Sequence, residues 1–116
     1  MTLQMQTVSR LSDFGQIDIN VAVTGDAEAP LIVCVHGWPE SWHSWNSQIE
    51  HFVALDYRVA AIDVRGYGES SRPDAIEAYR LVELCGDAAA VIEALSPDAP
   101  AIVFGHDWGS PIAYNT

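Results

Sequence analysis

Gly105-His106-Asp107-Trp108-Gly109-Ser110 follows directly on an apolar run, Ala101-Ile102-Val103-Phe104, and its reading decides the fold. Small residues stand two before and two after Asp107. That is the spacing of a nucleophile elbow, a sharp strand-to-helix turn that lifts one reactive side chain clear of a sheet. Such a turn strains its central residue and crowds the neighbouring backbone, so glycine is needed beside it. Serine hydrolases carry Ser at the centre; this chain carries Asp107. A carboxylate is ionised at neutral pH and attacks without help from a base. It suits displacement at a saturated carbon, which leaves an ester on the protein for water to cleave.

A second apolar run, Leu31-Ile32-Val33-Cys34-Val35, leads into His36-Gly37-Trp38-Pro39-Glu40. Where an elbow operates, the loop after an earlier strand supplies one backbone N–H of an oxyanion hole. The residue after the nucleophile supplies the other. The expected donors are therefore the N–H groups of Trp38 and Trp108. A small-x-Asp-x-small turn alone occurs in many α/β proteins; paired with this second motif, each behind a buried-type strand, it becomes specific. His36, Gly37, Pro39 and His106 are read as shaping the loops and the pocket, with both histidines fixing geometry by hydrogen bonding. The indole rings of Trp38 and Trp108 fall at the pocket, where they can form an apolar wall.

The remaining pattern predicts strands and helices in alternation. Ile17, Ile19, Val21 and Val23 alternate with polar or small residues, as in a half-buried strand, and 4–11 is a weaker strand before it. Asp13-Phe14-Gly15 reads as the turn between them, giving an antiparallel opening hairpin. The later runs, Leu31–Val35, 59–64 and 101–104, are near-continuously apolar, as in parallel strands covered on both faces. Trp42, Trp45, Ile49, Phe52 and Val53 recur at helical spacing, and so do Leu81, Leu84, Cys85, Ala88, Val91, Ile92 and Leu95. Gly86 interrupts the second helix at a cost of about 1 kcal/mol relative to Ala. Strand–helix–strand alternation means βαβ units and a mostly parallel sheet. Asp63-Val64-Arg65-Gly66-Tyr67-Gly68 follows a strand end; its glycines permit a tight loop and Arg65 is placed to pair with an acid, a structural duty.

Composition excludes several functions. The 116 residues are 49% apolar with a net charge of −11, and the five basic residues are scattered arginines, with no lysine at all. A basic track for phosphates is missing, so nucleic-acid binding is not expected. Without lysine there is no Schiff-base chemistry and no Walker-type P-loop. The acidity reads as a solvated surface. Residues 1–6 show no basic-then-apolar leader, and no apolar run approaches the roughly 20 residues of a membrane span. The expected location is the cytoplasm. Cys34 and Cys85 read as buried free thiols. None of His36, His43, His51 and His106 has metal-ligand spacing, and neither a metal nor a cofactor is expected.

HGWPESW at 36–42, DVRGYGESS at 63–71 and GHDWGS at 105–110, in that order, make the chain resemble the α/β-hydrolase-fold epoxide hydrolases from about residue 31 onward. The resemblance implies the strand order 1-2-4-3-5. It also implies a cofactor-free reaction in which Asp107 opens an epoxide, a small-molecule substrate, and water cleaves the resulting ester to a diol. In that family a later His, oriented by a later acid, activates the water, and two tyrosines of a cap domain protonate the epoxide oxygen. Asp107 is the part that can be placed here; the others would lie beyond Thr116. Residues 1–116 are thus expected to be the N-terminal portion of a hydrolase core domain, truncated after the elbow, without cap or C-terminal part. Such a chain is expected to be inactive alone and to need a complementing C-terminal half. Two alternatives stand beside this reading. One is a haloalkane dehalogenase, which uses the same Asp chemistry but usually carries Asn where Trp38 stands. The other is a non-catalytic fragment or half of a split protein.

Overall fold

The computed structural model describes residues 3–116. The leader reading of 1–6 rests partly on Met1 and Thr2, which lie outside the described residues. Five strands form one sheet: β1 (Gln4–Ser12), β2 (Gly15–Thr24), β3 (Leu31–Val35), β4 (Arg58–Ile62) and β5 (Ile102–Gly105). Their order is β1-β2-β4-β3-β5, as the resemblance implied. β1 and β2 are the antiparallel hairpin, running from Gln4 opposite Val23 to Ser12 opposite Gly15. β2 is antiparallel to β4, whereas β3 is parallel to both β4 and β5.

The sheet separates two apolar layers, and the period-two alternation of its strands sorts residues between them. Leu31, Val33 and Val35 of β3 join Ala60 and Ile62 of β4 and Ile17, Ile19, Val21 and Val23 of β2 on one face. Ala88 and Val91 of α2 (Leu81–Leu95) and Ile112 of α3 (Gly109–Asn115) cover that face. Ile32, Cys34, Val59 and Ala61 point the other way, against Ile49 and Val53 of α1 (Asn46–Ala54). Among the described residues, no helix is long and apolar enough to cross a membrane.

The differences from expectation are local. The helix read from Trp42 onward is a 3-10 turn over Trp42–Trp45 followed by α1. Ser41 caps the turn, its hydroxyl accepting from the His43 N–H at 3.3 Å. β4 stops at Ile62, two residues short: the Asp63 N–H still donates to the Asn20 carbonyl of β2, but the Val64 N–H turns to the His36 ring. A further 3-10 turn, Ile76–Tyr79, was not anticipated. Gly86 in α2 has a specific use: a Cβ there would stand 2.6 Å from an Arg10 guanidinium nitrogen, so glycine admits the arginine of β1. Cys34 is buried as expected, but Cys85 is only half-buried, its Sγ facing the Ile112 carbonyl of α3 at 3.6 Å.

Candidate functional site

β3 and β5 run parallel with Val35 opposite Gly105, so the loops that follow them emerge side by side. Asp107 sits between the end of β5 and the start of α3, with φ +58, a conformation rare outside glycine. Hydrogen bonds from the Gly109 N–H to the His106 carbonyl (2.9 Å) and from the Ser110 N–H to the Asp107 carbonyl (3.1 Å) lock the turn. Across from it, Gly37 has no room for a side chain. A Cβ would stand 2.7 Å from Asp107 Oδ2 and equally close to the His106 carbonyl oxygen. Glycine is therefore required where the two loops meet.

The Trp38 N–H donates to Asp107 Oδ2 at 3.3 Å. Among the described residues, the Trp108 N–H has no acceptor and Asp107 Oδ1 no donor. The Trp38–Pro39 peptide is cis. The His36 ring is buried. Its Nε2 accepts from the Val64 N–H at 2.9 Å, and its Nδ1 faces the Gly37 carbonyl at 2.8 Å. His106 is instead exposed, with Nδ1 3.5 Å from Glu40 Oε1. The same carboxylate oxygen accepts from the Gly37 N–H at 3.0 Å. That hydrogen bond, with a smaller contribution from His106, holds the Glu40 carboxyl below its ordinary value against a modest opposing effect of burial.

A cavity of about 660 Å³ opens between the two tryptophans and the first turns of α2 and α3. Trp38, Trp108, Tyr67, Leu81, Leu84 and Pro111 line it, so its walls are mainly apolar. Asp107 lies beside this cavity through its neighbours on both loops. Tyr67 packs edge-on against the His36 ring with centroids 5.2 Å apart. Burial, and secondarily the negative charge of Asp107, push its phenol upward from the ordinary tyrosine value.

Four acids that hold the site, Asp63, Asp87, Glu83 and Glu40, have no role that the sequence alone assigns. Asp63 is buried and accepts from the Asn20 side chain (2.9 Å), the Trp42 N–H (2.9 Å) and the Glu69 N–H (3.1 Å), joining three segments. Asp87 receives the buried Arg65 at two points, Nε to Oδ2 at 2.8 Å and Nη2 to Oδ1 at 2.6 Å. Arg10 of β1 adds a bond to Asp87 Oδ1 at 2.8 Å, and Glu83 bridges both arginines at 3.1 and 3.2 Å. The signal was present: Asp87 falls within the apolar stripe of α2, three residues after Leu84 and four before Val91, where an acid survives only if paired. Glu40 belongs to the 36–42 motif, where nothing in the pattern marks its bond to the Gly37 N–H.

A parallel β3–β5 pair, an elbow at its carboxyl end and helices on both faces define the α/β-hydrolase class. The chain belongs to the alpha/beta hydrolase fold family, whose sequence profile matches residues 30–115. It is similar to epoxide hydrolase B of Mycobacterium tuberculosis, 48% identical over 89 residues that make up 77% of this chain and 25% of that protein. It is also similar to the AB hydrolase superfamily protein YfhM of Bacillus subtilis, 43% identical over 99 residues, 85% of this chain and 34% of that one. Among solved structures, epoxide hydrolase A from Mycobacterium thermoresistibile superposes with a TM-score of 0.88 at 36% identity, covering 98% of this chain and 34% of that one. The chain thus spans between a quarter and about a third of the length of these relatives.

Proposed function

We propose that this chain carries the nucleophile and oxyanion donors of an epoxide-opening hydrolase, residues 1–116 forming the N-terminal portion of its core domain. One observation carries the reading. The Trp38 N–H engages Oδ2 of Asp107 at 3.3 Å, while Oδ1 meets no donor among the described residues. The two oxygens are therefore inequivalent. Oδ1 attacks an epoxide carbon, the carbon–oxygen bond breaks, and the departing alkoxide takes up a proton. Oδ2 becomes the carbonyl oxygen of the hydroxyalkyl ester. When water adds to that ester, negative charge moves onto Oδ2, where the Trp38 and Trp108 N–H groups meet it. Donors of this kind are typically worth about 3–4 kcal/mol each.

Neither nearby histidine is placed to activate the water. Both ring nitrogens of His36 are engaged by backbone, and His106 turns outward to Glu40. Like Gly37 and Pro39, they shape the loops. The base, its acid partner and the proton donors to the alkoxide are expected from a C-terminal segment or complementing chain. The apolar cavity and the net charge of −11 favour a small neutral epoxide over an anionic one.

Incubation of the chain with a reactive aryl epoxide, read by intact mass and peptide fragmentation, tests the proposal. The expected result is one equivalent of hydroxyalkyl ester on Asp107, absent in Asp107→Asn, with no sustained diol release. No adduct, or one that persists in Asp107→Asn, would overturn it. Many diol molecules per chain, lost in Asp107→Ala, would place a base within these residues and refute the division of labour. Halide release from an alkyl halide without any epoxide adduct would move the reading to dehalogenation.

A further inference from the structure

We infer that His36 is a positioning residue for the Asp107 reaction: a single neutral tautomer, fixed from both sides, sets the plane of the peptide that presents the Trp38 N–H. The inference rests on the proposed role of that N–H and adds what orients it.

The hydrogen-bond partners leave one arrangement of protons. Val64 offers a backbone N–H to Nε2 at 2.9 Å, so Nε2 carries a lone pair. The Gly37 carbonyl, 2.8 Å from Nδ1, can only accept, so Nδ1 carries the hydrogen. The ring is 1% exposed, which denies water to either nitrogen. Tyr67 stands edge-on against it.

The accepting carbonyl is the other end of the peptide unit that bears the Trp38 N–H. A peptide is planar, and in the trans form its C=O and N–H point in opposite directions. A hydrogen bond that fixes the Gly37 carbonyl therefore also fixes the direction of the N–H facing Asp107 Oδ2. The Glu40 N–H donates to the same carbonyl at 3.0 Å, so His36 shares the anchor with a tight turn. What His36 adds is a link to a different element. Val64 follows β4 and precedes Arg65, whose guanidinium is clamped on Asp87 of α2. Through the His36 ring, the donor peptide is referenced to β4 and α2 as well as to its own loop.

Two measurements without substrate test this, so they succeed or fail independently of whether the chain opens epoxides. In chain labelled with ¹⁵N-histidine, long-range proton–nitrogen correlation at neutral pH should show His36 with a protonated-type Nδ1 and an unprotonated-type Nε2. The opposite tautomer, or an averaged pattern, overturns the inference without any variant. The second measurement is the shift of the Trp38 amide proton when Asp107 is replaced by Asn, read in three backgrounds. In the unaltered chain the amide should move as it loses its carboxylate acceptor. His36→Asn places an amide N–H near the Nδ1 position and should keep the response. His36→Gln can reach the Val64 N–H with its amide oxygen, but its amide N–H sits one bond farther from the backbone than Nδ1 and misses the Gly37 carbonyl, so this variant should lose the response. An equal response in the Asn and Gln backgrounds would overturn the inference. If either variant fails to fold, the tautomer measurement still decides.

Discussion

Replacing Asp87 with alanine strips the buried end of the ion-pair cluster under the loop that follows β4. The Arg65 side chain has no exposed surface and gives Asp87 two bonds, at 2.8 and 2.6 Å. In Asp87→Ala, Nε and Nη2 lose their acceptors in a place that water does not reach. Breaking a buried pair from one side costs about 3–5 kcal/mol. The Ala78 carbonyl at 2.7 Å and Glu83 at 3.2 Å still hold Nη1, which argues for the lower end, about 3 kcal/mol. Arg10 adds little, because its side chain is 25% exposed and can rehydrate. Domains of this size are stable by about 0.05–0.15 kcal/mol per residue, so the loss is a large fraction of the total. With a urea dependence of about 1–3 kcal/mol per molar, the midpoint should fall by about 1–3 M, read by tryptophan fluorescence. A loss under about 1 kcal/mol, the range of an exposed pair, would refute the reasoning. The double variant Arg65→Met/Asp87→Leu removes both charges and should recover most of the stability.

Gly37→Ala should slow adduct formation on Asp107 at least about tenfold, equivalent to about 1.4 kcal/mol, because the new methyl falls against the carboxylate; an unchanged rate by mass spectrometry would contradict the close approach. The Glu40 carboxyl is held below its ordinary value chiefly by the Gly37 N–H. Its contribution to stability is therefore full above the ordinary carboxylate range and is lost as pH falls through the lowered value. Glu40→Gln should then melt below the parent chain at neutral pH, with the gap closing on acidification; a gap that widens in acid would reverse the sign. Burial pushes the Cys34 thiol up to about 12, so a thiol reagent should label half-buried Cys85 in the native chain and reach Cys34 only on unfolding.

The sheet was readable because its strands change texture in a way physics dictates: alternation where one face is wet, continuous apolar runs where both are covered. The strand order came from the family resemblance and not from pattern. The elbow was legible because a strained turn needs small neighbours at fixed offsets from Asp107. Less legible was whatever depends on long-range pairing. A helical stripe over 42–53 cannot distinguish a 3-10 turn from an α-helix within four residues, and Asp63, which takes the Trp42 N–H at the start of the turn, arrives from the end of β4. Gly86 reads as a weakness within its own helix, and its use depends on Arg10, far away in sequence, whose guanidinium lies against it. His36 was read as shaping its loop, but which atoms it would hold depended on Val64, which arrives from another strand.

The pairing of Val35 with Gly105 gives the chain very unequal tolerances to insertion. Neighbouring residues on a strand are about 3.3 Å apart, so a two-residue slip of β5 would carry Asp107 some 6–7 Å along the sheet, out of reach of the Trp38 N–H. A one-residue slip would turn every β5 side chain to the opposite face. Between 96 and 101, by contrast, extra residues lengthen a surface connection, where even doubling the loop costs only about 0.6 kcal/mol. Length is therefore free to drift before β5 and fixed within it: the site is gauged by a ladder of hydrogen bonds, and the sequence between 102 and 107 is its ruler.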